Sequence, residues 1–339
     1  MRDATQIQVE DFSIPGGDPS VMLGLRRKRL ASAGPFPAER TLLLMHGATF
    51  SSRSLFDAPL GGVSVMDELA LAGFDVFALD VRGYGASTRP ATMDGPPDGH
   101  APEVRAEVAL RDIGAAIDWV RHASGIERLC LLGMSWGGSI AGAHAARRPE
   151  TIAKLALVAP LWLSDGPKRI DPGGPLGAYR RSDLAKFHDA WLSPAPEAER
   201  ATLIPRGWFE TWVATTLETD PGSGVPGTVR APSGAVQDVR EHWTCGRPIY
   251  DPATITAPTL IVHAEWDVDV SLDTARDLFA RLTGARYRRW VEIGAGTHMV
   301  LAERNRWQAL GAITCFLLGE DQPSLPLAPL QNSGVSSTG

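Results

Sequence analysis

The sequence predicts an α/β architecture, a mostly parallel sheet flanked by helices and interrupted once by a mainly helical insertion. Short, continuously apolar runs recur along the chain, as strands buried on both faces require. Segments with apolar residues at helical spacing separate these runs, and such alternation builds parallel sheets covered on both sides. The alternation stops near residue 161 and resumes near 251, so the stretch between reads as inserted between two strands of one sheet.

Residues 6–12 and 21–29 flank a Gly16-Gly17-Asp18-Pro19 turn and read as an antiparallel hairpin. The run 41–47 (TLLLMHG) is the first fully apolar strand, followed by a helical pattern over 53–72. Strands at 75–80 (DVFALD), 129–133 (LCLLG) and 153–159 (AKLALVA) then alternate with helices at 104–122 and 136–148. From 161 to 250 the chain is rich in Pro, Gly and Trp. Helix-like pieces fall at 184–191 and 208–216, and 176–181 and 220–233 read as loops. A strand at 258–263 (PTLIVH), a helix at 273–282, a strand at 288–293 and a helix at 304–318 complete the pattern. The expected division is therefore core (1–160), inserted cap (161–250), core again (251–319) and a flexible tail (320–339).

The 339 residues are 44% hydrophobic and 21% charged, which suits a packed core. The net charge of −6, without any Lys/Arg block, argues against nucleic acid or an anionic membrane as partner. Cys130, Cys245 and Cys315 are odd in number and widely spaced, and suggest neither a disulfide framework nor a zinc site. Reduced thiols, no secretory h-region and no membrane-length apolar run give the expectation of a soluble cytoplasmic protein. Self-association is left open.

Gly133-Met134-Ser135-Trp136-Gly137 matches G-x-S-x-G, with an apolar strand before it and a helical pattern after it. Presenting a serine at the tip of a sharp strand-to-helix turn forces its backbone to positive φ. Side chains two positions to either side would collide, hence Gly133 and Gly137. The turn also sets Ser135 at a helix N-terminus, where free N–H groups favour negative charge, with the Trp136 N–H the first donor to an oxyanion.

With this motif in place the chain resembles the α/β-hydrolase superfamily, in particular its cap-bearing serine ester and lactone hydrolases. Three further segments carry the resemblance, which spans most of 40–318. His46-Gly47-Ala48-Thr49 follows the first apolar strand as the family's HG oxyanion loop does, implying Ala48 as second oxyanion donor and His46 as its brace. Asp80-Val81-Arg82-Gly83-Tyr84-Gly85-Ala86-Ser87 looks like a D-x-R-G-x-G-x-S turn, structural in the family. An acid and a histidine then follow in the order Ser…Asp…His.

The resemblance implies an eight-stranded sheet and a Ser135-His298-Asp267 triad, with no metal or organic cofactor. His298 ends the Gly-rich stretch 294–298 between the last strand and last helix. Asp267 follows strand 258–263, with Ala264 where the family's G-x-x-D pattern has Gly; Asp269, Glu265 and Asp165 compete for the role. His263, inside an apolar strand, reads as a core residue.

The implied reaction is hydrolysis of a small-molecule ester or lactone through an acyl-enzyme. Trp162, Trp191, Trp208, Trp212 and Trp243 of the insertion suggest a bulky apolar substrate, although a small lid also needs such residues for its own core. Ser-Trp-Gly-Gly also resembles the elbow of proline iminopeptidases, whose H-G-G-P-G loop is missing here, and a carbon–carbon bond hydrolase is a second alternative. Epoxide hydrolases and haloalkane dehalogenases use Asp where Ser135 stands. A non-enzymatic ligand receptor on the same fold is the remaining alternative.

Overall fold

A computed structural model describes residues 6–31, 33–164 and 168–319. Eight strands form one sheet, in the order β1-β2-β4-β3-β5-β6-β9-β10. They are β1 (Ile7–Pro15), β2 (Met22–Leu30), β3 (Thr41–Met45), β4 (Asp75–Leu79), β5 (Leu129–Met134), β6 (Ile152–Val158), β9 (Thr259–Ala264) and β10 (Arg288–Ile293). The β1–β2 hairpin is antiparallel and joins β4 antiparallel; every other pairing is parallel. The hairpin is longer than its sequence signal, since charged residues such as Glu10 and Arg27 alternate along it and pair across the strands at 3.3 Å.

The central strands β3, β4 and β5 are buried at every position because helices cover both faces. Leu43, Met45, Phe77, Leu131 and Leu157 pack on one side with α3 (Ala106–Ser124), α4 (Trp136–Arg147) and α9 (Leu272–Arg281). Leu42, Leu44, Val76, Leu132 and Val262 pack on the other with α1 (Ser52–Phe56), α2 (Val65–Leu71) and α10 (Arg306–Leu318). Alternate residues of one strand thus serve two cores, and truncating a fully buried leucine such as Leu43 to alanine should cost about 2–5 kcal/mol.

Two expectations are corrected. The helix over 53–72 is two helices, α1 and α2, because Pro59 and the positive φ of Gly61 (70°) and Gly62 (91°) break the helical path. The stretches read as loops at 176–181 and 220–233 contain β7 (Tyr179–Asp183) and β8 (Thr228–Pro232), a two-stranded antiparallel ribbon. Arginines and a proline masked the alternation there; β8 is nonetheless buried throughout.

The chain between β6 and β9 holds this ribbon with α5 (Leu184–Leu192), α6 (Glu197–Leu203), α7 (Trp208–Glu218) and α8 (Gly234–Glu241). No helix among the described residues is long and apolar enough to cross a membrane. Residues 320–339, expected as a tail, and Asp165 lie outside the described residues.

Candidate active site

The parallel strands deliver their loops to one edge of the sheet. Strand β5 ends at Met134 and α4 begins at Trp136, so Ser135 alone makes the turn, with φ 58° and ψ −124°. A non-glycine residue in such a conformation carries about 1–3 kcal/mol of strain, and here the neighbours hold it in place. Ser135 N–H donates to Val158 O (2.9 Å), and Ser135 O accepts from Gly138 N–H (2.9 Å) and Leu161 N–H (3.1 Å). A Cβ on Gly133 would run into Gly137 O and lie 2.8 Å from Ala141 Cβ. One on Gly137 would strike His46 O and lie 2.6 Å from Met45 O. Both glycines are therefore required by close backbone approach, as the motif predicted.

His298 Nε2 lies 2.9 Å from Ser135 Oγ and His298 Nδ1 lies 2.9 Å from Asp267 Oδ2. Three residues from three strand ends thus form one hydrogen-bonded chain. Asp267 is fixed in turn, its Oδ1 accepting from Asp269 N–H and Val270 N–H at 2.9 Å each. The competing acids occupy other places. Glu265 accepts from Ala295 N–H (2.7 Å) and so braces the histidine loop, while Asp269 lines the cavity described below. Asp267, Asp269 and His298 bring ligand-capable atoms within 4.8 Å of one another, but His298 has both nitrogens engaged in the chain.

Burial pushes the His298 imidazole down, and the charge and hydrogen bond of Asp267, helped by Asp269, outweigh it and raise its pKa to about 9. The carboxylate thus strongly favours the imidazolium, the form the ring would take on removing a proton from Ser135. Beneath the loop, Glu303 accepts from Thr297 N–H (2.9 Å), from the Thr297 hydroxyl and from Trp191 Nε1–H (2.7 Å). This buried carboxylate ties the histidine loop to α5. Its pKa is raised by burial.

His46 is fully buried and holds the loop after β3. Its Nδ1–H donates to Gly47 O (2.7 Å) and its Nε2 accepts from Val81 N–H (3.1 Å), an arrangement that burial supports by favouring the neutral ring. Asp80 anchors the following turn, accepting from Ser52 N–H, the Ser52 hydroxyl and Ala86 N–H. A Cβ on Gly85 would collide with that carboxylate. The loop so held places Ala48 in the cavity wall, with Gly47 packed against the Ser135 side chain. Among the described residues neither the Ala48 nor the Trp136 backbone N–H has a protein acceptor. The Trp136 indole points away from solvent into the core.

A cavity of about 350 Å³ opens over Ser135 and His298. Phe50, Leu55, Met134, Phe187, Trp191 and Met299 form apolar wall, and Lys168, Arg169, Arg180 and Arg181 add charge from the insertion. Of the five tryptophans expected to line the pocket only Trp191 does. Trp162 packs on Tyr250 and donates to Asp277 (2.8 Å), and Trp243 is buried in the core beside α8. Trp212 sits inside an aromatic cluster with Phe50, Phe187, Trp191 and Phe209, and Trp208 stacks under Arg306. Most of these indoles instead pack the insertion against the core. Arg180 and Arg181 were missed because they fell at the end of a stretch read as loop; the adjacent pairs Lys168-Arg169 and Arg180-Arg181 in an acidic chain were the available signal.

Comparison with known proteins bears on the fold. Curated relatives match over short stretches, and two of them show how little is shared. Human 1-acylglycerol-3-phosphate O-acyltransferase ABHD5 is 30% identical over 107 residues, 32% of this chain and 28% of its own length. Mouse epoxide hydrolase 4 is 34% identical over 85 residues, 25% of this chain and 20% of its own. The chain thus aligns with less than a third of either relative.

Among solved structures, a hydrolase from Pseudomonas aeruginosa superposes with a TM-score of 0.61 at 19% identity, covering 92% of this chain and 98% of the other. The 2-hydroxy-6-oxo-6-phenylhexa-2,4-dienoate hydrolase of a Rhodococcus species gives 0.59 at 19% identity, covering 92% and 99%. At such identities these likenesses speak for the fold alone. The family model for the alpha/beta hydrolase fold matches residues 40–304, most of the chain and every strand from β3 to β10. The protein is a member of the α/β-hydrolase family.

Proposed function

We propose that this hydrolase cleaves a carboxylic ester or lactone through an acyl-enzyme on Ser135. The observation that supports this most is the unbroken hydrogen-bonded chain Ser135–His298–Asp267 at the floor of an open cavity. A serine hydroxyl is a weak nucleophile, so His298 takes its proton as the oxygen attacks the carbonyl carbon. Asp267 holds the ring with Nδ1 protonated and stabilises the imidazolium. The tetrahedral oxyanion is received by the free Ala48 and Trp136 N–H groups, each donor worth about 3 kcal/mol of barrier. His298 then returns the proton to the leaving alcohol. Water, deprotonated by the same ring, releases the acid and restores Ser135.

The chain between β6 and β9 acts as the cap, supplying Phe187, Trp191 and the basic residues of the cavity. With one indole in the wall instead of five, the cavity suits a mixed substrate, partly apolar and partly polar. A panel of p-nitrophenyl esters and aromatic lactones, with a fluorophosphonate probe, tests the reading. Wild type should turn over members of the panel and label at Ser135, and Ser135→Ala should do neither, with a loss on the order of 10⁶-fold in kcat. Intact turnover in Ser135→Ala would overturn it. A chain that binds panel members without turning them over or labelling would instead be a receptor.

A further inference from the structure

Arginines that enter the interior of this chain are, with few exceptions, met by a carboxylate. Arg27 pairs with Asp75 at 2.6 Å, Arg82 with Asp112 at 2.5 Å and Arg230 with Asp220 at 2.6 Å. Arg306 lacks such a partner but lies between the faces of Trp208 and Trp307, 4.6 and 4.2 Å from the ring centres. Arg180 has neither. It stands in the cavity wall on β7, and no carboxylate reaches it among the described residues. It donates through Nη1 to Pro232 O (2.8 Å) and through Nη2 to Ala48 O (2.9 Å) and Thr49 Oγ1 (2.8 Å). Five N–H groups are available on a guanidinium, so among the described residues Nε–H and one Nη1–H remain without a protein acceptor.

The surroundings point the same way. Lys168, Arg169 and Arg181 line the same cavity. Among the described residues Lys168 Nζ donates only to a backbone oxygen, Asp269 O at 3.0 Å, and Arg169 meets the Asp269 carboxylate at 3.7 Å. Arg181 lies over the Tyr179 ring and donates to Ser223 O. Beyond Asp267, which is committed to His298, Asp269 is the single acid in the wall among the described residues. Four cations against one carboxylate, in a chain of net charge −6, make an electropositive chamber on an acidic protein. Burial disfavours the Arg180 charge, yet a guanidinium does not give up its proton in a protein. An anion arriving in the cavity is therefore the partner that would complete it.

We propose that Arg180 anchors a carboxylate carried by the substrate, so that the preferred esters of this enzyme are anionic, such as half-esters of dicarboxylic acids. This deepens the ester-hydrolase reading and rests on it. An unspent N–H of this guanidinium can donate to a carboxylate oxygen, and charge-assisted hydrogen bonds in a low-dielectric cavity are roughly twice as strong as neutral ones. Because Arg180 also holds Ala48 O, the same residue that recognises the anion braces the loop carrying an oxyanion donor. Specificity and catalysis are thereby linked through one side chain.

The test compares p-nitrophenyl hemiglutarate with neutral p-nitrophenyl pentanoate in hydrolysis, and phenylbutyrate with phenylbutyramide in calorimetric binding. Wild type should favour the anionic member of each pair by about tenfold or more. Arg180→Met should slow both esters through the loop it braces and weaken the anionic member further, removing most of the preference, and Arg180→Lys should keep part of it. Should Arg180→Met fail to fold, Arg180→Lys with a salt titration serves, since its remaining preference rests on charge and must shrink as salt screens it. Equal handling of the two members by wild type would overturn the proposal. So would an equal loss on both esters in Arg180→Met, which would make Arg180 a loop brace only. If neither ester is hydrolysed the ester reading fails, while the calorimetric pair still decides the carboxylate site.

Discussion

The two sides of the cavity are built on different principles. On the sheet side, Ser135, Asp267 and His298 each follow the end of a strand; backbone hydrogen bonds within a few residues or across neighbouring strands hold the first two, and bonds to Gly296 and Thr297 hold the loop of the third. On the insertion side, Phe187 and Trp191 reach the cavity from α5 and Arg180 from β7. They are placed by ring packing with Phe50 and Trp212 and by hydrogen bonds to Ala48 and Glu303. On the proposed function, chemistry is thus mounted on the rigid frame, and selection among substrates on elements whose position depends on side-chain packing. Changes on the first side should strike rate, and changes on the second should strike stability and substrate affinity.

The largest separation should come from Asp267→Asn. By analogy with other triads the loss in kcat is about 10⁴-fold, with little change in fold. The pH profile gives an independent reading. Only neutral His298 accepts the Ser135 proton, so wild-type kcat/KM should rise with pH and level off above about 9. In the variant the carboxylate charge is gone while burial remains, so this limb should move to lower pH. Stability runs the other way. A histidine raised from 6.5 to about 9 contributes its stabilisation in full below 6.5, and that contribution fades as pH climbs toward 9. A thermal-melting series should show this fade in wild type and a flatter profile in Asp267→Asn. An unshifted activity limb would separate Asp267 from the histidine.

Next in size is Trp212→Ala on the insertion side. The indole is fully buried and meets Phe50 edge-on with centroids 4.8 Å apart, joining insertion to core. Its loss should cost about 3–5 kcal/mol of stability in denaturant unfolding, yet fluorophosphonate labelling of the folded variant should persist. Abolished labelling in protein that remains folded would contradict the division between the two sides. The smallest effect is expected from Trp191→Phe, which keeps the ring in the wall and deletes the bond to Glu303. About 1–2 kcal/mol should be lost, read mainly in KM. A drop confined to kcat would instead show that Glu303 acts through the histidine loop.

The contrast also explains what could be read in advance. Strands β3, β5, β6 and β9 were legible because strands buried on both faces must be apolar at nearly every position. Ser135 was legible because its turn demands glycine at 133 and 137, a local steric requirement that leaves its mark within five residues. The ribbon β7–β8 was hidden, since YRRSD and TVRAP carry no apolar alternation and pair across about fifty residues of chain. The same distance hid the role of Arg180. Its value lies in which carbonyls it meets and which carboxylates it lacks.

By itself the sequence determined the strand–helix alternation, the interruption after β6, the strained serine turn and the order of serine, acid and histidine. These rest on short-range periodicity and on steric limits between near neighbours. Only the tertiary structure decided that Asp267 meets His298 while Asp269 and Glu265 do not, that one tryptophan of five lines the cavity, and that four cations gather there. Those outcomes depend on which distant surfaces come together. Burial and pairing are properties of the assembled interior, and no local stretch of chain contains them.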